Sequence, residues 1–134
     1  MNKYLAAYAG AAVAMIAIDL VWLGVIAKPI YQSGIGHLMT DEPRIVAAVL
    51  FYLMFPVGLV LFAIAPHEAA HSWGKTALWA ALFGFFAYAT YDLTNLSTLK
   101  GWPLSLALID MGWGTAVSAV AACAGKAAMD AVAS

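Results

Sequence analysis

Residues 4–27 read YLAAYAGAAVAMIAIDLVWLGVIA, an apolar run of 24 residues with a single acid, Asp19, inside it. At about 1.5 Å per residue, a helix of that length covers roughly 36 Å, enough for the roughly 30 Å of a bilayer's hydrocarbon core. Two further apolar stretches also carry a lone aspartate: Asp92 in AYATYDLTNL (87–96) and Asp110 in LALIDMGWGT (106–115). A carboxylate at a bilayer centre costs about 2.5–3.5 kcal/mol, so three cost roughly 8–10 kcal/mol, comparable with the net stability of a whole domain. A chain that accepts such a cost uses those groups.

The rest of the composition agrees with a membrane setting. Of 134 residues, 65% are hydrophobic and 10% charged, against about 25% charged in soluble domains. The net charge is −1 and basic residues form no block, which excludes nucleic-acid binding and polybasic docking to lipid. The single cysteine, Cys123, lies in an Ala-rich stretch; it has no internal disulfide partner and reads as packing. Lys3 followed by AGA or AVA resembles a signal peptide, but the apolar run continues past any such site to a spanning length.

Three more spans follow, at about Ile45–Ala65, Thr76–Thr98 and Pro103–Ala124. Every backbone polar group in hydrocarbon must be satisfied within its own segment, so the spans are helices. The alternating pattern of a barrel strand is absent. The expected fold is a single all-α domain over residues 1–134, with four transmembrane helices in a compact antiparallel bundle. Pro56, in FYLMFPVGLV (51–60), frees the carbonyl of Tyr52 and predicts a kink in span two. The first connection, KPIYQSGIGHLMTDEPR (28–44), is long enough for a lid. It reads better as a short interfacial helix using Ile30, Tyr31, Ile35 and Leu38. Pro103 marks the start of the fourth span. If the N-terminus is cytoplasmic, Lys3, Lys75 and Lys126 face Lys28, Arg44 and Lys100 across the bilayer, and the balance leaves orientation open.

Small residues recur four apart at Ala6, Gly10 and Ala14 in span one, and at Gly114, Ser118 and Ala122 in span four. Such stripes let helices approach closely. They predict contact between spans one and four, within one chain or between the protomers of a homo-oligomer.

Depth brings the acids together. Asp19 is eight residues before Ala27, Asp92 six before Thr98 and Asp110 seven after Pro103. In an antiparallel arrangement they lie about 12, 9 and 10.5 Å below one surface. Asp19 and Trp22, like Asp110 and Trp113, are three apart and share a helix face, so I-D-x-x-W occurs twice. The repetition is a trace of an inverted repeat or chance. Tyr88, Tyr91, Asp92 and Asn95 cluster on one side of span three, with Thr94 nearby. No Lys or Arg lies inside any of these spans, and Lys100 reaches back only partway by snorkelling. Carboxylates gathered in apolar surroundings without a cation hold protons, which a cationic ligand can replace. The candidate ligand-binding or proton-carrying residues are therefore Asp19, Asp92, Asn95 and Asp110. Trp22, Tyr88, Tyr91, Thr94 and Trp113 line the site. The alternative is that each Asp is a hydrogen-bonding group that fixes helix packing.

His67, Glu68 and His71 form H-E-x-x-H, the zinc-protease string when helical. It sits in a short connection on the side away from the aspartates, and a third ligand would have to come from elsewhere; it reads as a fortuitous polar loop. No metal and no cofactor is expected.

The strings FYLMFPVGLVLFA (51–63), AYATYDLTNLSTLKGWP (87–103) and IDMGWGT (109–115), with IDLVWLG (18–24) and YQSGIGHLM (31–39), resemble a bacterial family of predicted membrane proteins, domain-of-unknown-function family 2177. The resemblance covers nearly the whole chain. It implies a compact four-span protein of the bacterial inner membrane and carries over no catalytic residues.

Three functions fit these residues. The first is binding or transport of a small cationic or amphipathic ligand at the aspartates, coupled to protons. The second is an intramembrane enzyme acting on a lipid or isoprenoid-like substrate, with Asp92 as acid or base. The third is a structural or assembly subunit of a membrane complex. The first is the reading the spacing favours.

Overall fold

The computed structural model describes residues 2–69 and 72–133, and among them every regular element is helical, with no strand. Helix α1 spans Lys3–Val21 and runs straight into a π-helical turn, Trp22–Ile26. Its start is capped by Asn2, whose side-chain oxygen accepts from the Tyr4 N–H at 2.8 Å. Helix α2, Lys28–Ile35, opens on Pro29 and closes in a 3₁₀ turn, Gly36–Leu38. Helix α3 covers Ile45–Leu59 with Pro56 inside it, then a second π-helical turn, Val60–Ile64, and a 3₁₀ turn, Ala65–His67. Helix α4 is Trp73–Thr98 and helix α5 Leu104–Ala133. The tight turn between them uses Gly101 at φ 76°, a left-handed conformation that glycine adopts without strain.

Three runs are long and apolar enough to cross a membrane: 3–26, 45–67 and 104–133. Helix α4 has the length, 26 residues, but is more polar, because Thr90, Asp92, Thr94 and Asn95 fall within it.

Helix α5 lies at the centre, with α1 and α4 packed along it and antiparallel to it. Close approach on one side depends on Gly10, where a Cβ would meet the Ala124 carbonyl oxygen and the Ala128 Cβ at 2.9 Å. Gly125 faces the same contact, where a Cβ would lie 2.6 Å from the Ala7 carbonyl oxygen. On the other side Gly84 abuts Gly114 and Ser118, and the Tyr88 ring covers Gly114. The contact of α1 with α5 thus forms within one chain and through Gly10 of the expected span-one stripe, but not through Gly114 and Ser118 of the span-four stripe. Gly114 and Ser118 turn toward α4, and α1 takes the face at Ala124, Gly125 and Ala128. One helix flanked on two sides needs two small-residue faces, and spacing alone does not say which neighbour each one meets.

Helix α3 joins the core only through its second half. Phe55, Leu59, Ala63 and Ile64 are buried, and the Phe55 ring lies 5.1 Å from Phe83 and 6.1 Å from Tyr88. Residues 45–51 are all exposed.

Helix α5 extends to Ala133, beyond the expected end at Ala124, and so takes in Lys126. That side chain is wholly buried. Its Nζ donates to the carbonyl oxygens of His67, Glu68 and Ala69 at 3.4, 3.2 and 3.1 Å, lies 3.7 Å from Asp130 and sits over the Trp73 ring. A lysine thus closes the end of the α3 run by satisfying its orphan carbonyls. Lys126→Met should lower stability by about 1–3 kcal/mol through those carbonyls, while Lys126→Arg keeps most of it; thermal denaturation in detergent reads the difference.

Candidate functional site

Where α1, α3, α4 and α5 meet α2, they enclose a cavity of about 600 Å³. Asp19, Asp92 and Asp110 all line it, at 4%, 0% and 8% exposure. The sequence-derived lining residues Trp22, Tyr88, Tyr91 and Trp113 are there too, among apolar groups such as Phe55 and Ala87.

Two of the aspartates accept hydrogen bonds from aromatic donors. Asp19 accepts from the Tyr52 hydroxyl at 2.7 Å and from the Trp113 indole N–H at 2.9 Å. Asp110 accepts from the Tyr31 hydroxyl at 2.5 Å, and that hydroxyl in turn accepts from the Trp22 N–H at 3.5 Å. The Trp22 and Trp113 rings stack at 4.2 Å, within 5° of parallel. Each I-D-x-x-W turn therefore reaches across to the aspartate of the other: Trp113 directly, Trp22 through Tyr31.

Asp92 differs. It is completely buried, and neither carboxyl oxygen has a hydrogen-bond donor among the described residues. The group beside it is the Asp110 carboxyl, and two carboxyls hydrogen-bond only when a proton lies between them. The Trp102 indole N–H, on another lining residue, is also buried without a partner. Lining cations are absent among the described residues. The wall is therefore acidic, aromatic and closed to anions, with an acceptor pair and one donor unfilled.

Asn95 and Thr94 do not line the cavity. Thr94 faces outward, and its hydroxyl bonds back to the carbonyls of Thr90 and Tyr91 on its own helix. Asn95 shares the helix face of Asp92 but lies a turn farther along α4, past the lining residues, whereas Thr94, two residues from Asp92, points to the other side, and Thr hydroxyls satisfy themselves on their own backbone.

Tyr31 and Tyr52 escaped the sequence reading. Tyr31 was assigned to an interfacial connection and Tyr52 only to the carbonyl freed by Pro56. The available signal was one of accounting: with no cation in the spans, each buried carboxylate needs a phenol or indole donor. Helix α2 exists as expected, but it folds over the cavity. Ile30, Tyr31 and Ile35 pack on Trp102, Leu106 and Ala107, and Gly34 sits against Pro103.

The H-E-x-x-H string lies at the opposite end. The His67 Nδ1 pairs with the Ala63 carbonyl at 2.9 Å, and Glu68 is tied to Lys3 at 2.6 Å and to the Tyr4 hydroxyl at 3.0 Å; His71 lies outside the described residues. Among the described residues, His, Cys, Asp and Glu form no group of three suited to a metal. Hydrogen bonding from Lys3, then from Tyr4, holds Glu68 below the usual carboxylate range. A depressed value contributes stability above the unfolded-state range and loses it as pH falls through the lowered folded value. Below about pH 4 the start of α1 should therefore loosen from the α3–α4 connection. Protection of the amides near residues 3–6, taken relative to their intrinsic exchange rates at each pH, should fall with acid in the native protein and lose that dependence in Glu68→Gln.

An all-helical chain with three membrane-length apolar helices has the build of a membrane protein. It belongs to the predicted membrane protein family DUF2177, whose model matches residues 4–127. No curated protein and no solved structure matches it.

Proposed function

We propose that this is a multi-pass protein of the bacterial inner membrane whose cavity binds, and exchanges for protons, a small cationic or amphipathic ligand held at Asp92. One observation carries the reading: among the described residues, a fully buried carboxylate without a donor of its own on the wall of a largely aromatic and acidic cavity. Buried polar groups find partners, and an unfilled one at a cavity wall marks where a ligand group or a proton belongs. Asp19 and Asp110 are held by aromatic donors and set the acidic field; Asp92 makes the contact. In this reading α4 spans the membrane as the fourth helix, its polar side screened by α5, and the π-helical turn after Pro56 marks the bend of α3. The stacked Trp22–Trp113 pair supplies an apolar and cation-attracting wall.

Native mass spectrometry of the detergent-purified protein and of Asp92→Asn tests this. The native chain should carry a defined small molecule, and the variant should bind it about tenfold to hundredfold more weakly, the worth of a hydrogen bond to a charged group. An empty native chain, or the same lipids on both proteins, would overturn the reading in favour of the aspartates as packing groups in a larger complex.

A further inference from the structure

Resting on that reading, we infer that the ligand is a single-chain amphiphile taken from the lipid phase, with a head that offers an ammonium to Asp92 and an acceptor to the Trp102 N–H. Three independent observations converge on it.

The first is the cavity's mouth. The end nearest the connections is covered by α2, pinned by Tyr31 to Asp110 and by Ile30 and Ile35 packed on Trp102 and Leu106. The exposed lining residues are Leu23, Met39, Phe51 and Tyr91, and all are apolar or aromatic. Beside them, residues 45–50 of α3 are all exposed. The opening therefore lies along the flank of the protein, under the free half of α3, where the surroundings are acyl chains. A water-borne ligand would have to cross that apolar rim; a lipid-borne one already lies against it.

The second is charge. Three carboxyls and no lining cation among the described residues favour a cationic head and reject fatty acids and phosphates. The third is the pair of unfilled functions. Among the described residues Asp92 lacks donors and the Trp102 indole lacks an acceptor, so one head group with an amine and a hydroxyl offers a partner to each. A volume of about 600 Å³ is that of a site for one drug-sized molecule.

The protein in phosphatidylcholine nanodiscs would be titrated with sphinganine, octadecylamine, octadecanoic acid and ethanolamine, read by the fluorescence of the stacked tryptophans. Sphinganine should bind saturably, and octadecylamine about twofold to tenfold more weakly for want of the hydroxyl. Octadecanoic acid and ethanolamine should not bind. Trp102→Phe should erase the difference between the two amines, and Asp92→Asn should weaken binding of both by about tenfold to hundredfold. Leu23→Phe combined with Met39→Phe, which crowds the mouth, should slow association while leaving the order of affinities unchanged.

Asp92-dependent binding of ethanolamine equal to that of the chain amines would overturn the lipid-borne ligand while leaving the Asp92 site standing. An unaltered association rate in the crowded variant would overturn entry from the flank. Failure of all four probes to bind in an Asp92-dependent way would overturn this ligand class, and the mass spectrum of the native chain then decides whether the site itself survives.

Discussion

Replacing Gly84 with valine should push α4 away from α5 and cost the protein a large part of its stability. A Cβ at that position would lie 2.6 Å from the Ser118 Cβ and closer still to the Gly114 carbonyl oxygen. A flexible side chain can turn aside; a backbone oxygen of a packed helix cannot. Overpacking of this kind costs about 1–3 kcal/mol, and contact with backbone takes the expected loss to the upper part of that range. The displacement also acts on the site, because Asp92 lies two turns farther along α4 and meets Asp110 across the same contact. Thermal denaturation in detergent would measure the loss. Gly112→Ala is the control: a Cβ there meets nothing within 4 Å. Helix propensity predicts a gain of up to about 1 kcal/mol for that variant. Equal melting temperatures for Gly84→Val and the native chain would mean that α4 and α5 do not pack as closely as described.

The second large effect is expected at Asp19, and its sign separates two physical accounts. If the cost of a carboxylate in apolar surroundings dominated, Asp19→Leu would stabilise the protein. We expect the opposite. The desolvation is met when the helix enters the membrane, before the helices associate, and so is common to the separated and packed states. The hydrogen bonds from Tyr52 and Trp113 exist only when α1, α3 and α5 are together. Leucine leaves both donors buried and unpaired, at about 1–3 kcal/mol each. Hydrogen bonds measured between membrane helices average nearer 0.6 kcal/mol, so a total of about 1–4 kcal/mol is expected. Adding Tyr52→Phe to Asp19→Leu should recover part of the loss, since it removes one of the orphaned donors. Denaturation of the two single variants and the double variant gives the coupling directly. A more stable Asp19→Leu would show that the network does not hold the helices together.

Asp92 contrasts with Asp19 in the same cavity. One carboxyl is surrounded by donors and the other by none. That asymmetry separates a carboxyl tied into the helix packing from one that is not, and nothing in the chain's spacing distinguishes the two. MIAIDLVWLG and AYATYDLTNL each present one acid in an apolar run. Which acid finds a phenol depends on where Tyr52 and Tyr31 come to rest, on a different helix and on a connection.

What the sequence alone determined is what depends on distance along a helix. Hydropathy over twenty-odd residues marked out the helical runs, and a rise of about 1.5 Å per residue brought three aspartates to one level. Both follow from backbone geometry and solvent, which act on each segment separately. Tertiary structure alone decided azimuth and partnership: that Thr94 turns outward, that Gly114 serves α4 and Gly10 serves α5, that α2 closes over the cavity, and that Lys126 is buried in a helix end. A helix in an apolar medium has no polar face to orient it, so its rotation is set by close packing against its neighbours. That information exists only once the helices are together.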